Sequence, residues 1–386
     1  MHMAKSKKKN GWQKWIAFVL MMGVGAACGV AIAMLLDRLM AGEEKGKMLL
    51  MYALLALGMY IAMGLQIVVH EAGHLVFGLL TGYKFSSFRI GSMMWIKENG
   101  RLVRKKYSLA GTGGQCLMAP PELDEQGMMP VVLYNLGGSI MNLVCSAVCV
   151  GLYFLCRPAP VLAVFWVVMA LVGVGFALTN GVPLHMGAVD NDGYNALMLG
   201  RDKQAVRAFA LQMKMNDAIA RGMRPKDMPE EWFAMPDDES MQNSMVAAVA
   251  VMACSRLIDM HNFEEADAKM QRILDMDSAI IGIHRVQLVC ERIYCELIGP
   301  CRRDVIETML DKGQKKMMKA MKTMPSVLRL EYALALLLEK DVAKAEKALA
   351  AFEKIAAKYP YPADIESERE LIAIARETAQ NAAEMN

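Results

Sequence analysis

Along residues 12–200 the apolar positions gather into long unbroken runs, whereas along 201–386 they recur at helical spacing between charged residues. The first pattern leaves no polar face and predicts helices surrounded by apolar matter; the second predicts amphipathic helices with one face in water. About 20 apolar residues suffice to cross a bilayer. Four runs qualify: Trp15 to Leu36, Met48 to Val68 with an apolar continuation to Leu80, Val131 to Cys156, and Val161 to Thr179. The first follows KSKKKN and contains Ala31-Ile32-Ala33, as a signal peptide would, but its apolar run continues to Leu36 and reads as an anchor.

Between the second and third runs, MMWIKENGRLVRKKYS alternates like a strand pair, and its Asn99-Gly100 is a strong hairpin turn signal. In the second half, HNFEEADAKMQRILD and EKDVAKAEKALAAFEKIAAKYP resemble the second helices of tetratricopeptide-type hairpins, without a clean period. A helical repeat that binds a protein partner is one reading, and a plain bundle with solvated charged faces the other. DMPEEWFAMPDDES reads as the linker before it. The expected architecture is mainly α: a polytopic membrane bundle of about four spans with a small cytoplasmic β-hairpin, then a soluble tetratricopeptide-like helical domain. The expected divisions are 1–47 (anchor span and loop), 48–200 (membrane core), 201–240 (linker) and 241–386 (helical domain).

Composition agrees with a membrane protein: 55% of the 386 residues are hydrophobic. A net charge of +3, with no basic run interleaved with aromatics, leaves no electrostatic footprint for nucleic acid. Nine cysteines lack paired spacing and imply no disulfide framework. His284, Cys290, Cys295 and Cys301 do not match zinc-finger gaps and read as buried helical residues. The 36 methionines read as core filler. Lysines before the first span, and seven basic residues between Lys84 and Lys106, place the N-terminus, the 81–130 loop and the C-terminal half on the cytoplasmic side. The expected location is a bacterial cell membrane.

One span carries chemistry. QIVVHEAGHLVFGLL (Gln66 to Leu80) sets two histidines and a glutamate among apolar residues, where ionisable groups are expensive and are retained with partners and a task. On a helix His70 and His74 share a face and can offer two imidazole nitrogens to one zinc ion, and Glu71 beside them can act as general base. The bland reading is a histidine pair satisfied by carbonyls in a bundle core. A catalytic zinc takes a third protein ligand, and NGVPLHMGAVDNDGYNAL offers His185, Asp190 and Asp192.

HEAGH on one span, with a later span ending in Asn180, Pro183 and then Asp192-Gly193, resembles the site-2 protease family of intramembrane zinc metalloproteases. The resemblance covers about residues 48–200. It implies a Zn2+ site of His70, His74 and Asp192, with Asp190 a rival because the Pro183-to-Asp192 gap is longer than the family's. It implies Glu71 as the catalytic base, and a membrane-protein substrate within the lipid bilayer. Gly138-Ser139-Ile140-Met141-Asn142 is close to another family signature, with Ser139 where a proline is expected. Asn142, Asn180 and Gln115 are then expected substrate contacts. For Asn142 an interhelical hydrogen bond is the alternative. Gly111 to Gln115 reads as a flexible approach to the site, and the Asn99-Gly100 hairpin as the edge on which an extended substrate pairs. The functional expectation is an intramembrane zinc endopeptidase. The alternatives are a non-catalytic membrane zinc-binding regulator, or a membrane-tethered helical-repeat scaffold.

Overall fold

The computed structural model describes residues 45–386 except 99, 108–111, 185–190, 201, 277 and 385–386, together with scattered helical positions between Trp15 and Met34. The first expected span therefore lies largely outside the described residues, as do His185 and Asp190.

Three described helices are long and apolar enough to cross a membrane: α1 (Lys45–Leu80), α2 (Val131–Leu155) and α3 (Pro160–Gly181). They match the second, third and fourth expected spans. α1 ends where Gly82 adopts φ +89°, which lets the Gly82 and Tyr83 amides turn back to the carbonyls of Leu79 and Gly78 and satisfy the last turn. α3 starts on Pro160, whose missing N–H costs nothing in a first turn. Leu57, Tyr60, Val148, Leu155 and Val161 are exposed, an apolar exterior of the kind lipid covers. Inside, Ala62, Cys149, Val164, Val168 and Met169 form a small core. α1 and α2 meet backbone to backbone, since a Cβ on Gly73 would lie 2.3 Å from the Gly137 carbonyl oxygen.

Four strands, β1 (Lys84–Ile90), β2 (Met93–Glu98), β3 (Arg101–Lys106) and β4 (Gly114–Ala119), form one sheet of order β3-β2-β1-β4. The expected hairpin is present, with Glu98 opposite Arg101 and Gly100 at φ +81°, while Asn99 lies outside the described residues. It is part of a larger sheet than the hairpin expected, because β1 pairs antiparallel with β2.

The remaining elements are helical: α4 (Asp192–Leu199), α5 (Lys203–Ala220), α6 (Ser244–Asp259), α7 (Phe263–Asp275), α8 (Gly282–Ile298), α9 (Arg303–Met309), α10 (Lys312–Ala320), α11 (Pro325–Ala333), α12 (Val342–Ala356) and α13 (Pro362–Glu384). Residues 201–240, expected as a linker, instead carry α5 and two short 3-10 turns, with a third beginning at Ser240. The physical reason is burial: Val206, Ala210, Met213 and Met215 recur at helical spacing and are covered. His261, Cys301 and Lys340 all have positive φ, lie at nearly equal intervals, and each stands two residues before a helix. The second half thus repeats one turn although its sequence shows no clean period.

By internal contacts the chain forms two compact units, 1–85 with 113–206, and 86–112 with 207–386. The second unit has one continuous core, from Ala247, Ala250 and Ile258 through Ile293 and Tyr294 to Leu330, Phe352 and Leu371. The expected division at residue 200 is therefore interrupted by the hairpin segment 86–112.

Candidate metal centre

His70, Glu71 and His74 lie in the last third of α1 and are buried, at 7%, 9% and 8% exposure. The single turn between the histidines stacks them on one helix face. Asp192 is the first residue of α4, and its Oδ2 lies 3.0 Å from His70 Nε2 and 3.4 Å from His74 Nε2. The two Nε2 atoms are 3.2 Å apart. Among the described residues these three form the one group of histidine, cysteine or acidic side chains close enough to share a metal ion.

The hydrogen-bond network decides what those atoms can do. Gln66 Nε2 donates to the Met169 carbonyl at 2.9 Å, so its Oε1 faces Asn142. Asn142 Nδ2 donates to that oxygen at 2.7 Å and to the Gln66 carbonyl at 3.0 Å, which leaves its Oδ1 toward His70 Nδ1 at 2.8 Å. His70 Nδ1 therefore carries the proton and Nε2 a bare lone pair. His74 Nδ1 likewise donates to the Tyr134 carbonyl at 2.8 Å, leaving its Nε2 bare. Two lone pairs and a carboxylate oxygen converge with no donor between them. Only positive charge reconciles them. One solution is a proton on either ring: burial pushes the Asp192 carboxyl up, but hydrogen bonds from such rings outweigh it and hold the group well below its ordinary range. The other is a metal cation, which engages all three lone pairs at once. Two nitrogens and one oxygen are a donor set that suits zinc.

Glycines make the space. A Cβ on Gly138 would lie 2.5 Å from the His70 ring, and one on Gly114 of β4 would lie 2.5 Å from Glu71 Cγ. Asn191, which sequence reasoning passed over between its two aspartates, locks α4 against the end of α3. Its Oδ1 accepts from Tyr194 and Leu184 amides at 2.9 and 3.0 Å, and its Nδ2 donates to the Thr179 and Val182 carbonyls at 2.9 and 2.6 Å. Gly193 is helical, not left-handed; a Cβ there would lie 2.1 Å from the Gly181 carbonyl oxygen, so its role is close approach and not a tight turn.

The residues expected as substrate contacts have partners of their own. Asn142 is fully buried and holds His70 and Gln66, the interhelical alternative to a substrate contact. Asn180 donates to the Phe176 carbonyl of its own helix at 2.9 Å and joins none of the groups that hold the triad. Gln115 is half-buried beside Gly114, and strand alternation turns it to the opposite face from the one that meets Glu71. Ser139 stands where the resemblance expects proline, and its buried hydroxyl has no hydrogen-bond partner among the described residues. Gln66 was legible in principle: it is a polar residue one turn before His70, inside an apolar run.

A sequence model of peptidase family M50 matches residues 58–355, which covers the centre and most of the second unit. The chain belongs to peptidase family M50. No curated protein and no solved structure matches it. Three apolar helices, one of them carrying HEAGH, together with the family match make this M50 member a membrane protein with a metalloprotease domain.

Proposed function

We propose that this M50 protein is an intramembrane zinc metalloendopeptidase that hydrolyses peptide bonds in or near the transmembrane segments of membrane-protein substrates. The observation that carries the reading is the convergence of two bare imidazole nitrogens and one carboxylate, with Glu71 next to them on the same helix. His70, His74 and Asp192 hold the metal. Zinc, when bound, supplies Lewis acidity that polarises the scissile carbonyl and makes water a better nucleophile near neutral pH. Glu71 takes the proton from the attacking water and delivers it to the leaving amine nitrogen. Asn142 and the Tyr134 carbonyl fix the two ring tautomers so that both Nε2 atoms stay free of protons.

A helical substrate shields its carbonyls and must be drawn out before it can be cut. β4 ends the sheet and carries Gly114 at Glu71, so we assign it, and not the Asn99-Gly100 hairpin, as the strand on which an extended substrate pairs. The N-terminus and the C-terminal half lie on the cytoplasmic side of a bacterial cell membrane, following the positive-inside rule. The helical second unit serves a protein partner in the manner of tetratricopeptide repeats.

Glu71→Gln keeps size and metal ligands but removes the base. The purified variant should retain zinc at one per chain by metal analysis and lose at least 100-fold in cleavage of a membrane-protein substrate. A rate near that of the unchanged protein would remove Glu71 from the mechanism.

A further inference from the structure

The second unit encloses a cavity of about 370 Å3 that the peptidase reading leaves unused. Its wall has two characters. Met215, Met228, Met252, Met324 and Phe233 supply an apolar part, unbranched and adaptable. Asp259, Glu291, Asp364, Glu368 and Arg329 supply a charged part.

Buried charges are costly unless paired, so their pairing shows what is missing. Arg329, only 1% exposed, donates Nη2 to both Glu291 oxygens at 2.7 and 2.8 Å and Nε to Glu368 at 2.8 Å, with its guanidinium 4.3 Å from the Tyr294 ring centre. Arg224 donates to Asp259 at 2.5 Å and to both Glu370 oxygens at 2.6 and 2.8 Å, and the Ser367 hydroxyl adds a bond to Asp259 at 2.6 Å. The two guanidiniums thus serve Glu291, Glu368, Asp259 and Glu370, and among the described residues neither donates a hydrogen bond to Asp364. Burial first, then the charges of Glu368 and Asp259, pushes Asp364 up to about 7 against the pull of Arg224. Positive charge is in deficit there. At the same time Arg329 Nη1 has no hydrogen-bond partner among the described residues, and neither has Nδ1 of His284 on the same wall.

We propose that this cavity binds a peptide segment in which a lysine or arginine is flanked by apolar residues. The basic side chain supplies the positive partner that Asp364 lacks. A peptide carbonyl accepts from Arg329 Nη1, and the flanking side chains cover the methionine wall. A simple metal cation would leave both the orphan donor and the apolar wall unsatisfied. An anion would answer Arg329 but meet four carboxylates. The volume suits one basic side chain with its immediate neighbours.

This site is independent of the metal centre, and so is its test. Full-length protein carrying Glu71→Gln, in detergent micelles, is titrated with an end-blocked, fluorescein-labelled Gly-Leu-Lys-Leu-Gly peptide and followed by anisotropy. The expected result is saturable binding that survives His70→Ala and weakens at least tenfold in Asp364→Asn. Gln287→Trp, which fills the cavity from its lining, should weaken it similarly, with unfolding midpoints showing that both variants are folded. The same peptide with glutamate for lysine should not bind. Absence of saturable binding, equal binding of the glutamate peptide, or unchanged affinity in both cavity variants would overturn the proposal. Loss of binding in His70→Ala alone would place the peptide at the metal centre and overturn it too.

Discussion

Asn142 connects three helices at one side chain: it receives the His70 Nδ1 proton, donates twice to Gln66, and through Gln66 is tied to the Met169 carbonyl. Replacing it with leucine keeps the branching of the side chain but leaves the His70 ring without its acceptor, free to rotate or change tautomer. Asn142→Leu should therefore weaken zinc binding by about 10 to 100-fold, the range typical for partners of metal-ligating histidines. Competition against a chelator of known affinity measures this; undiminished affinity would return Asn142 to the substrate-contact role. Gly114 tests the other half of the centre. A methyl group there would overlap Glu71 Cγ and its carboxylate, not the histidines. Gly114→Ala should keep zinc while cleavage falls at least tenfold, and a fall in zinc content would show that β4 supports the ligands as well. The sequence made His70, Glu71 and His74 legible because helical spacing alone sets their faces. It hid Gln66, Gly114 and Gly138, whose roles exist only across helix and strand contacts.

At the scale of elements, the site depends on how the short α4 is seated. Eight residues carry little stability of their own, so its position comes from Asn191 capping the helix and gripping the end of α3, and from Gly193 lying against the Gly181 carbonyl. Asp192 stands between these two residues and is aimed by them. Gly193→Ala forces α4 away from α3, since the new methyl carbon would lie 2.1 Å from the Gly181 oxygen. Zinc affinity should fall tenfold or more. Gly58→Ala is the control: its Cβ would meet Phe165 at 3.6 Å, an ordinary contact, and affinity should hold. Equal affinity in both variants would show that α4 can slide without moving the carboxylate. An Asp-Gly pair after a span would also suit a tight turn; here the glycine is helical, and its need is space. Conformation and close approach both call for glycine, and residue type alone does not separate them.

For the whole molecule, two compact units divide the chemistry, a group of side chains placed to hold a metal in the first and a charged cavity in the second. The second has a signature in stability. Asp364 is raised from 3.8 to about 7, so the folded chain binds its proton more tightly than the unfolded chain does. That contribution is whole below the unfolded value and is lost as pH rises through the folded one. Relative to Asp364→Asn, the unchanged protein should lose stability between roughly pH 4 and pH 7, measured as the difference in unfolding midpoint. A flat difference would mean that the carboxyl is hydrated and not held in a low-dielectric cavity. Apolar run length determined the spans, because lipid requires about 20 apolar residues whatever surrounds them. Helical periodicity determined the HEAGH face, and the Asn-Gly signal in the sequence marked the hairpin. Only tertiary structure decided that Asn142 bonds His70 and Gln66 across two helices, that residues 86–112 cluster with the second unit, that α5 occupies the expected linker, and that Asp192 reaches His70 and His74 from far along the chain. The physical reason is range. Spans and turns are governed by interactions within a few residues, which a sequence displays, whereas a lone pair's partner and a glycine's neighbour are set by which backbones pack together.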